Sequence, residues 1–168
     1  MKTLFYKNIE FREWDPPATA EQIANTENAI GGKFPNEYKT FLLHNNGGFI
    51  INRPSFMASW QGDECKPLSL RSLNGVRPCH SDSFEQMLYG YQFNERVPHL
   101  IIPIGEMDYH YRLCISLRTN DYGHIYFWAP LHLLAGDNDY PNRKTMEDLY
   151  FVTNSFGEFL EILKPLPH

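Results

Sequence analysis

Residues 34–50 read FPNEYKTFLLHNNGGFI. A proline stands one step into an apolar-periodic run, and Asn-Asn-Gly-Gly closes it. Pro35 costs nothing at a first helical position, because that amide has no partner inside a helix. Glu37 suits the positive end of the same helix. Tyr38, Phe41 and Leu42 fall at i, i+3 and i+4 and make one apolar face. Asn45-Asn46-Gly47-Gly48 then stops the helix and turns the chain into the strand-like Phe49-Ile50-Ile51. The stretch is therefore a helix–stop–strand corner. It is no phosphate loop, since no strand precedes the glycines and no Lys-Ser/Thr follows them.

Upstream, Thr19-Ala20-Glu21-Gln22 fits a capping box with Thr19 as N-cap. Ala20, Ile23, Ile30 and Phe34 share one side at helical spacing, with Glu27 interrupting the stripe. Gly31-Gly32 can stop that helix. Residues 1–17 read as an N-terminal strand or extended arm ended by Pro16-Pro17. Downstream, residues 52–80 are irregular apart from a strand at 67–73. Phe84, Met87, Leu88 and Tyr91 predict a helix over 83–91. Three strands follow: LIIPIG (100–105), YRLCISL (111–117) and HIYFW (124–128), the last two as a hairpin. Residues 135–144 read as a polar loop and 149–152 as a final strand. Ser155-Phe156-Gly157-Glu158 fits a second capping box, with Phe156, Phe159, Leu160 and Leu163 inward and Pro165 ending the helix. The expected class is α+β, a mostly antiparallel central sheet flanked by helices at its N- and C-terminal ends.

A chain of 168 residues fits one domain over 1–168. Its 42% hydrophobic and 15% aromatic content can bury a sizeable core. No apolar run approaches the roughly 18 residues of a membrane helix. The first residues break their apolar stretch with Lys7, Glu10 and Arg12, unlike a secretory leader. A cytoplasmic location is expected. Cys65, Cys79 and Cys114 are odd in number and widely spaced, which reads as reduced thiols. The net charge of −5 is uneven: residues 1–99 hold 10 basic and 11 acidic side chains, residues 100–168 hold 5 and 9. That balance argues against nucleic acid, which wants clustered Lys and Arg, and suits a basic partner.

In this order, the pieces resemble the SUKH superfamily, also called SMI1/KNR4. Its N-terminal pattern is matched by Ile23, Glu27, Ile30, Gly31, Phe34-Pro35, Tyr38, Phe41-Leu42 and Asn46-Gly47-Gly48. Its middle pattern is matched by Pro103-Ile104-Gly105, Leu113-Cys114-Ile115, Gly123 and Ile125-Tyr126-Phe127-Trp128. Its closing pattern is matched by Ser155-Phe156 and Phe159-Leu160. The match spans roughly residues 18–163. The chain departs from the family at Asp108-Tyr109-His110-Tyr111 and at Ser116, where members carry Gly and Asp. The resemblance implies a sheet flanked by helices and a non-enzymatic binding role. Many bacterial members look like immunity proteins that neutralise a cognate toxin, often a nuclease, and a fungal branch regulates wall synthesis through protein contacts. An immunity-type binding protein is the expected function, with a non-toxin scaffold or regulator as the alternative.

Several constellations bear on chemistry. His110 as base with Asp108 as its orienter would make a small hydrolase, but no nucleophile or oxyanion motif stands nearby. The seven histidines show no metal-ligand spacing, and Asp137-Asn138-Asp139 lacks the Gly and Glu of a calcium loop. Tyr126-Phe127-Trp128 could stack bases but lacks interleaved Lys and Arg. No cofactor, metal, nucleic acid or membrane partner is expected, and the chain is expected as a monomer or weak homo-oligomer. The partner-binding candidates are the acids and tyrosines of the connections: Glu106, Asp108, Tyr109, His110, Tyr111, Asp121, Tyr122, Asp137, Asp139 and Tyr140. Together they form an expected acidic face toward a basic toxin domain. Tyrosine offers large contact area at low entropy cost.

Overall fold

The computed structural model describes residues 3–12, 16–60, 62, 64–76, 97–130, 146 and 148–165. The described strands are β1 (Thr3–Tyr6), β2 (Ile9–Arg12), β3 (Gly48–Ile50), β4 (Ser55–Ala58), β5 (Lys66–Leu73), β6 (Ile101–Met107), β7 (Arg112–Ser116), β8 (Ile125–Trp128) and β9 (Leu149–Thr153). Helices α1 (Ala20–Ile30), α2 (Asn36–His44) and α3 (Phe156–Ile162) accompany them. The sheet runs β1-β2-β3-β5-β6-β7-β8-β9, with β4 beside β5 off this path. Every described pairing is antiparallel. This is the expected α+β class.

The helices cover one face. Phe11 meets Phe41 at 5.9 Å between ring centroids, Tyr38 meets Phe156 at 5.0 Å, and Phe56 meets Phe159 at 5.6 Å. These aromatics belong to one buried cluster with Ile50, Leu70, Leu113, Ile115 and Phe127 of the strands. Strand side chains alternate, so their neighbours point to the opposite face. There a smaller cluster of Ile101, Cys114, Tyr126, Trp128 and Leu149 lies with Val97 and Met146. The rest of that face carries no helix among the described residues.

The helix–stop–strand corner forms as expected, and its glycines have a physical cause. Asn46 and Gly47 are left-handed, at φ 49° and 79°. A Cβ on Gly47 would lie 2.5 Å from the Leu73 carbonyl oxygen. The Asn46 amide donates to the Pro16 and Val76 carbonyls and accepts from the Val76 N–H at 2.7 Å. Tyr38 Oη donates to the Asn74 carbonyl at 3.1 Å, and Asn74 Nδ2 donates to the Pro103 carbonyl at 3.0 Å. Residues far apart in sequence thus converge on the 74–76 turn at the end of β5.

The capping box of α1 is complete, and Gly31 ends the helix at φ 74°. Glu27, which interrupts the apolar stripe, is buried and clasps the α1–α2 corner. It accepts from the Phe34 N–H at 2.9 Å and pairs with Lys33 at 3.1 Å and Lys39 at 3.0 Å. Burial pushes its carboxyl upward, but these donors outweigh it and hold the group below the usual range. Pro35 is the N-cap rather than the first helical residue, a one-residue shift. At α3, Ser155 Oγ accepts from the Glu158 N–H, but Glu158 turns back to the Asn154 N–H instead of closing the box on Ser155. Glu37 takes a role the sequence did not suggest: its carboxylate accepts from the Gly157 N–H at 2.8 Å, tying α2 to the start of α3.

Two segments differ from expectation. The N-terminal arm is a hairpin, β1–β2, turned at Lys7 (φ 51°) and joined to β3. Residues 55–58, read as irregular, form β4, whose other side is bridged to Lys164. The expected helix at 83–91 and the loop at 135–144 lie outside the described residues.

Candidate partner-contact surface

Strand β6 ends in the turn Asp108–His110, and β7 returns from it. Asp108 is held by three donors. Arg53 Nη2 and Arg71 Nε both reach Oδ1, at 2.5 and 3.0 Å, and the Ser69 N–H reaches Oδ2 at 3.1 Å. Burial pushes this carboxyl upward, but the Arg71 and Ser69 hydrogen bonds and the Arg53 charge bring it below its ordinary value. Tyr109 and His110 are both left-handed, at φ 59° and 60°, which side-chain-bearing residues avoid. Tyr109 is 61% exposed and rests on Tyr111, with ring centroids 5.6 Å apart. His110 Nδ1 bonds Glu106 at 3.0 Å, and Arg112 pairs with the same carboxylate at 3.3 Å.

The pairing His110–Asp108 expected for a hydrolase is therefore absent. The turn is tight rather than extended, so the two side chains do not share a face. His110 leans on Glu106, and Asp108 faces arginines. Among the described residues no group of three potential metal ligands comes together. No helix among them is long and apolar enough to cross a membrane.

Two of the ten candidates are corrected by burial. Tyr111 packs edge-on to Trp60 at 5.9 Å and stacks near Phe127, at the rim of the core. Asp121 is 7% exposed, and its carboxylate accepts from Ser116 Oγ, the Arg118 guanidinium and Tyr126 Oη. Burial raises its carboxyl, but these donors hold it at about 2, while burial and the Asp121 bond push Tyr126 to about 12. Asp121 pins the β7–β8 hairpin from inside and offers a partner nothing. Tyr122 is exposed, with its hydroxyl donating to the Lys33 carbonyl. Asp137, Asp139 and Tyr140 lie outside the described residues.

The candidates also divide in space. Glu106, Asp108, Tyr109 and His110 meet at the β6–β7 turn, whereas Asp121 and Tyr122 sit at the β7–β8 turn, at the opposite end of β7. Among the described candidates, Glu106, Asp108 and Asp121 each have an arginine partner.

Sequence reasoning missed the sheet face opposite the described helices, beside the first turn. Cross-strand register places Arg12, Phe49, Ser72, Glu106 and Arg112 in one row across it. Phe5, Phe49, Ile51 and Met57, and at its β9 end Phe151, are exposed apolar side chains on it, and Arg53 and Arg71 meet at Asp108 close to half exposed. The signal was present in Phe49-Ile50-Ile51: if Ile50 is core, its neighbours face out. Arg71 escapes that rule because a register shift lies between Leu70 and Ser72.

A mostly antiparallel open sheet with the described helices packed on one side defines the class: an α+β protein. The family follows from the chain itself. The SMI1/KNR4 family model (SUKH-1) matches residues 17–162, and the chain belongs to that family. It is also similar to the SPbeta prophage-derived uncharacterized protein YokK of Bacillus subtilis (strain 168), 26% identical over 155 residues, covering 84% of this chain and 72% of that protein.

Proposed function

We propose that this chain is an immunity-type binding protein that neutralises a cognate toxin domain by direct contact, without catalysis, in the cytoplasm of the cell that makes the toxin. Family membership over residues 17–162 carries the reading, since SUKH proteins are commonly immunity proteins that bind a partner toxin. The β6–β7 turn supports it. Its only imidazole is tied to Glu106 and its aspartate to two arginines, an arrangement suited to holding a surface rather than moving protons. The test is co-expression with the C-terminal toxin domain encoded beside this chain. Survival that depends on the chain, together with co-purification of the two, supports immunity by binding. Neither rescue nor a complex would refute it and favour a regulator without a toxin.

A further inference from the structure

Two guanidinium groups serve one carboxylate at the β6–β7 turn. Among the described residues, Asp108 is the only acid within ion-pair distance of Arg53 or Arg71. Both arginines are close to half exposed, at 44% and 45% of their side chains. Each guanidinium carries five N–H donors in a planar fork. A single carboxylate cannot saturate two such forks, and one positive charge is left over. From this imbalance we propose that the face of β4–β5 turned away from Phe56 and Leu68 docks a carboxylate-bearing surface of the toxin domain, with Arg53 and Arg71 receiving the acid and Met57 flanking it. The proposal rests on the immunity reading and adds where the contact falls and what chemistry the partner presents.

Composition and geometry agree. Aromatic residues, Met and Arg are enriched in interface cores, and Tyr and Arg lead among the residues that dominate binding. Tyr109 and Met57 are each 61% exposed, too apolar to be indifferent to water. Met57 shares its face with Arg71, because it pairs with Pro67 on the side of β4–β5 turned away from Phe56 and Leu68, and the register shift after Leu70 turns Arg71 the same way, whereas Tyr109 rests on Tyr111 at the rim of the helix-covered side. The surface is also stiff. Arg53, Tyr109 and His110 all have left-handed backbone, held in place by the Asp108 bonds and the Glu106–His110 contact. A pre-set surface loses little freedom on binding. Phosphate is the other natural guest of paired arginines. A chain of net charge −5 whose excess here is a single cation is poorly suited to the many phosphates of a nucleic acid.

The test uses the full chain and the purified toxin domain encoded beside it, with affinity read by calorimetry. Variants are Arg71→Ala, Arg71→Glu, Met57→Asp and, on the far side in α1, Asn28→Ala. Thermal melts confirm that each is folded. Arg71→Ala and Met57→Asp are expected to weaken binding by at least ~10-fold, Arg71→Glu by more, and Asn28→Ala not at all. Met57→Asp leaves the Asp108 bonds untouched, so its loss cannot be ascribed to a disturbed turn. A carboxylate→Lys change in the toxin domain that restores binding to Arg71→Glu would identify the docked acid. If wild type binds and protects while all three face variants do so equally, the docking proposal falls and immunity stands. If wild type neither binds nor protects, both fall. Binding of a fluorescent DNA or RNA oligonucleotide that Arg71→Ala abolishes would overturn the choice of a protein partner.

Discussion

Replacing Asn46 by alanine tests whether the Asn-Gly-Gly corner is held by its side chain or only by its glycines. Asn46 is 3% exposed. Alanine leaves the Val76 N–H without its acceptor, and an unsatisfied buried donor costs about 1–3 kcal/mol. The Pro16 and Val76 carbonyls each lose a donor, worth about 0.5–1.5 kcal/mol apiece. Alanine must also hold φ near 49°, at a cost of roughly 1 kcal/mol. Together these predict a loss of about 4 kcal/mol. At ~2–4 °C per kcal/mol for a chain of this size, the melting temperature falls by roughly 8–16 °C. Asn46→Gly separates the causes, because glycine accepts the left-handed backbone and loses only the hydrogen bonds. It should be destabilised by about 3 kcal/mol. Urea unfolding followed by Trp fluorescence measures both, with an unchanged slope as the control for two-state behaviour. A loss below about 1 kcal/mol for Asn46→Ala would mean that the bonds from residue 46 to residues 16 and 76 do not hold the corner together, and the reasoning would be wrong.

Other consequences are equally specific. Asp121, held at about 2 against an ordinary 3.8, stabilises the fold above pH ~4, and that contribution is lost as pH falls toward 2. Its size is about 2 kcal/mol, so Asp121→Asn should flatten the acid limb of a stability-versus-pH curve over that window. Glu37→Ala removes the acceptor from the first turn of α3 and should cost about 1 kcal/mol. Gly157→Ala places a Cβ 2.7 Å from that carboxylate, so the two changes together should cost less than their separate effects combined in a double-mutant cycle. Cys65 is exposed, whereas Cys114 is buried and burial pushes its thiol far up. Alkylation followed by mass spectrometry should therefore label Cys65 in the folded protein and Cys114 only after unfolding.

Much of the fold was legible because its signals are local. Thr19 with Gln22, Gly31 and the 45–48 stop all act within a few residues of themselves. The misses have longer reach. The β1–β2 hairpin turns on Lys7-Asn8, which lacks the Asn-Gly or Asp-Gly signature, and it is held from outside by Asn52, whose amide donates to the Asn8 carbonyl. Strand β4 is four residues long and depends on β5 and Lys164 for its pairing. Glu27 looked like a break in an apolar stripe, and only the fold shows that Lys33, Lys39 and the Phe34 amide converge on it. The site was the least legible part. A list of acids carries no record of which arginine each one meets. Asp108 finds its partners 55 and 37 residues away.

That limit on charge counting leads to the most discriminating prediction at the site. Asp108→Asn removes one negative charge and leaves Arg53 and Arg71 without their shared acid. If acids on this chain drew in a basic toxin, the variant would associate more slowly at low salt. If the arginines receive an acid from the toxin, it should associate faster, because the local field becomes more positive. One unit of charge in a docking surface changes a steered association rate by roughly a few-fold, and salt erases the difference. The dissociation rate should rise in either case, since the asparagine holds Tyr109 and His110 less firmly. Stopped-flow association at low and high ionic strength, with the neighbour-encoded domain as partner, therefore separates the two mechanisms by the sign of the change in on-rate. A slower on-rate at low salt would return the site to the acidic reading and refute the arginine-centred one.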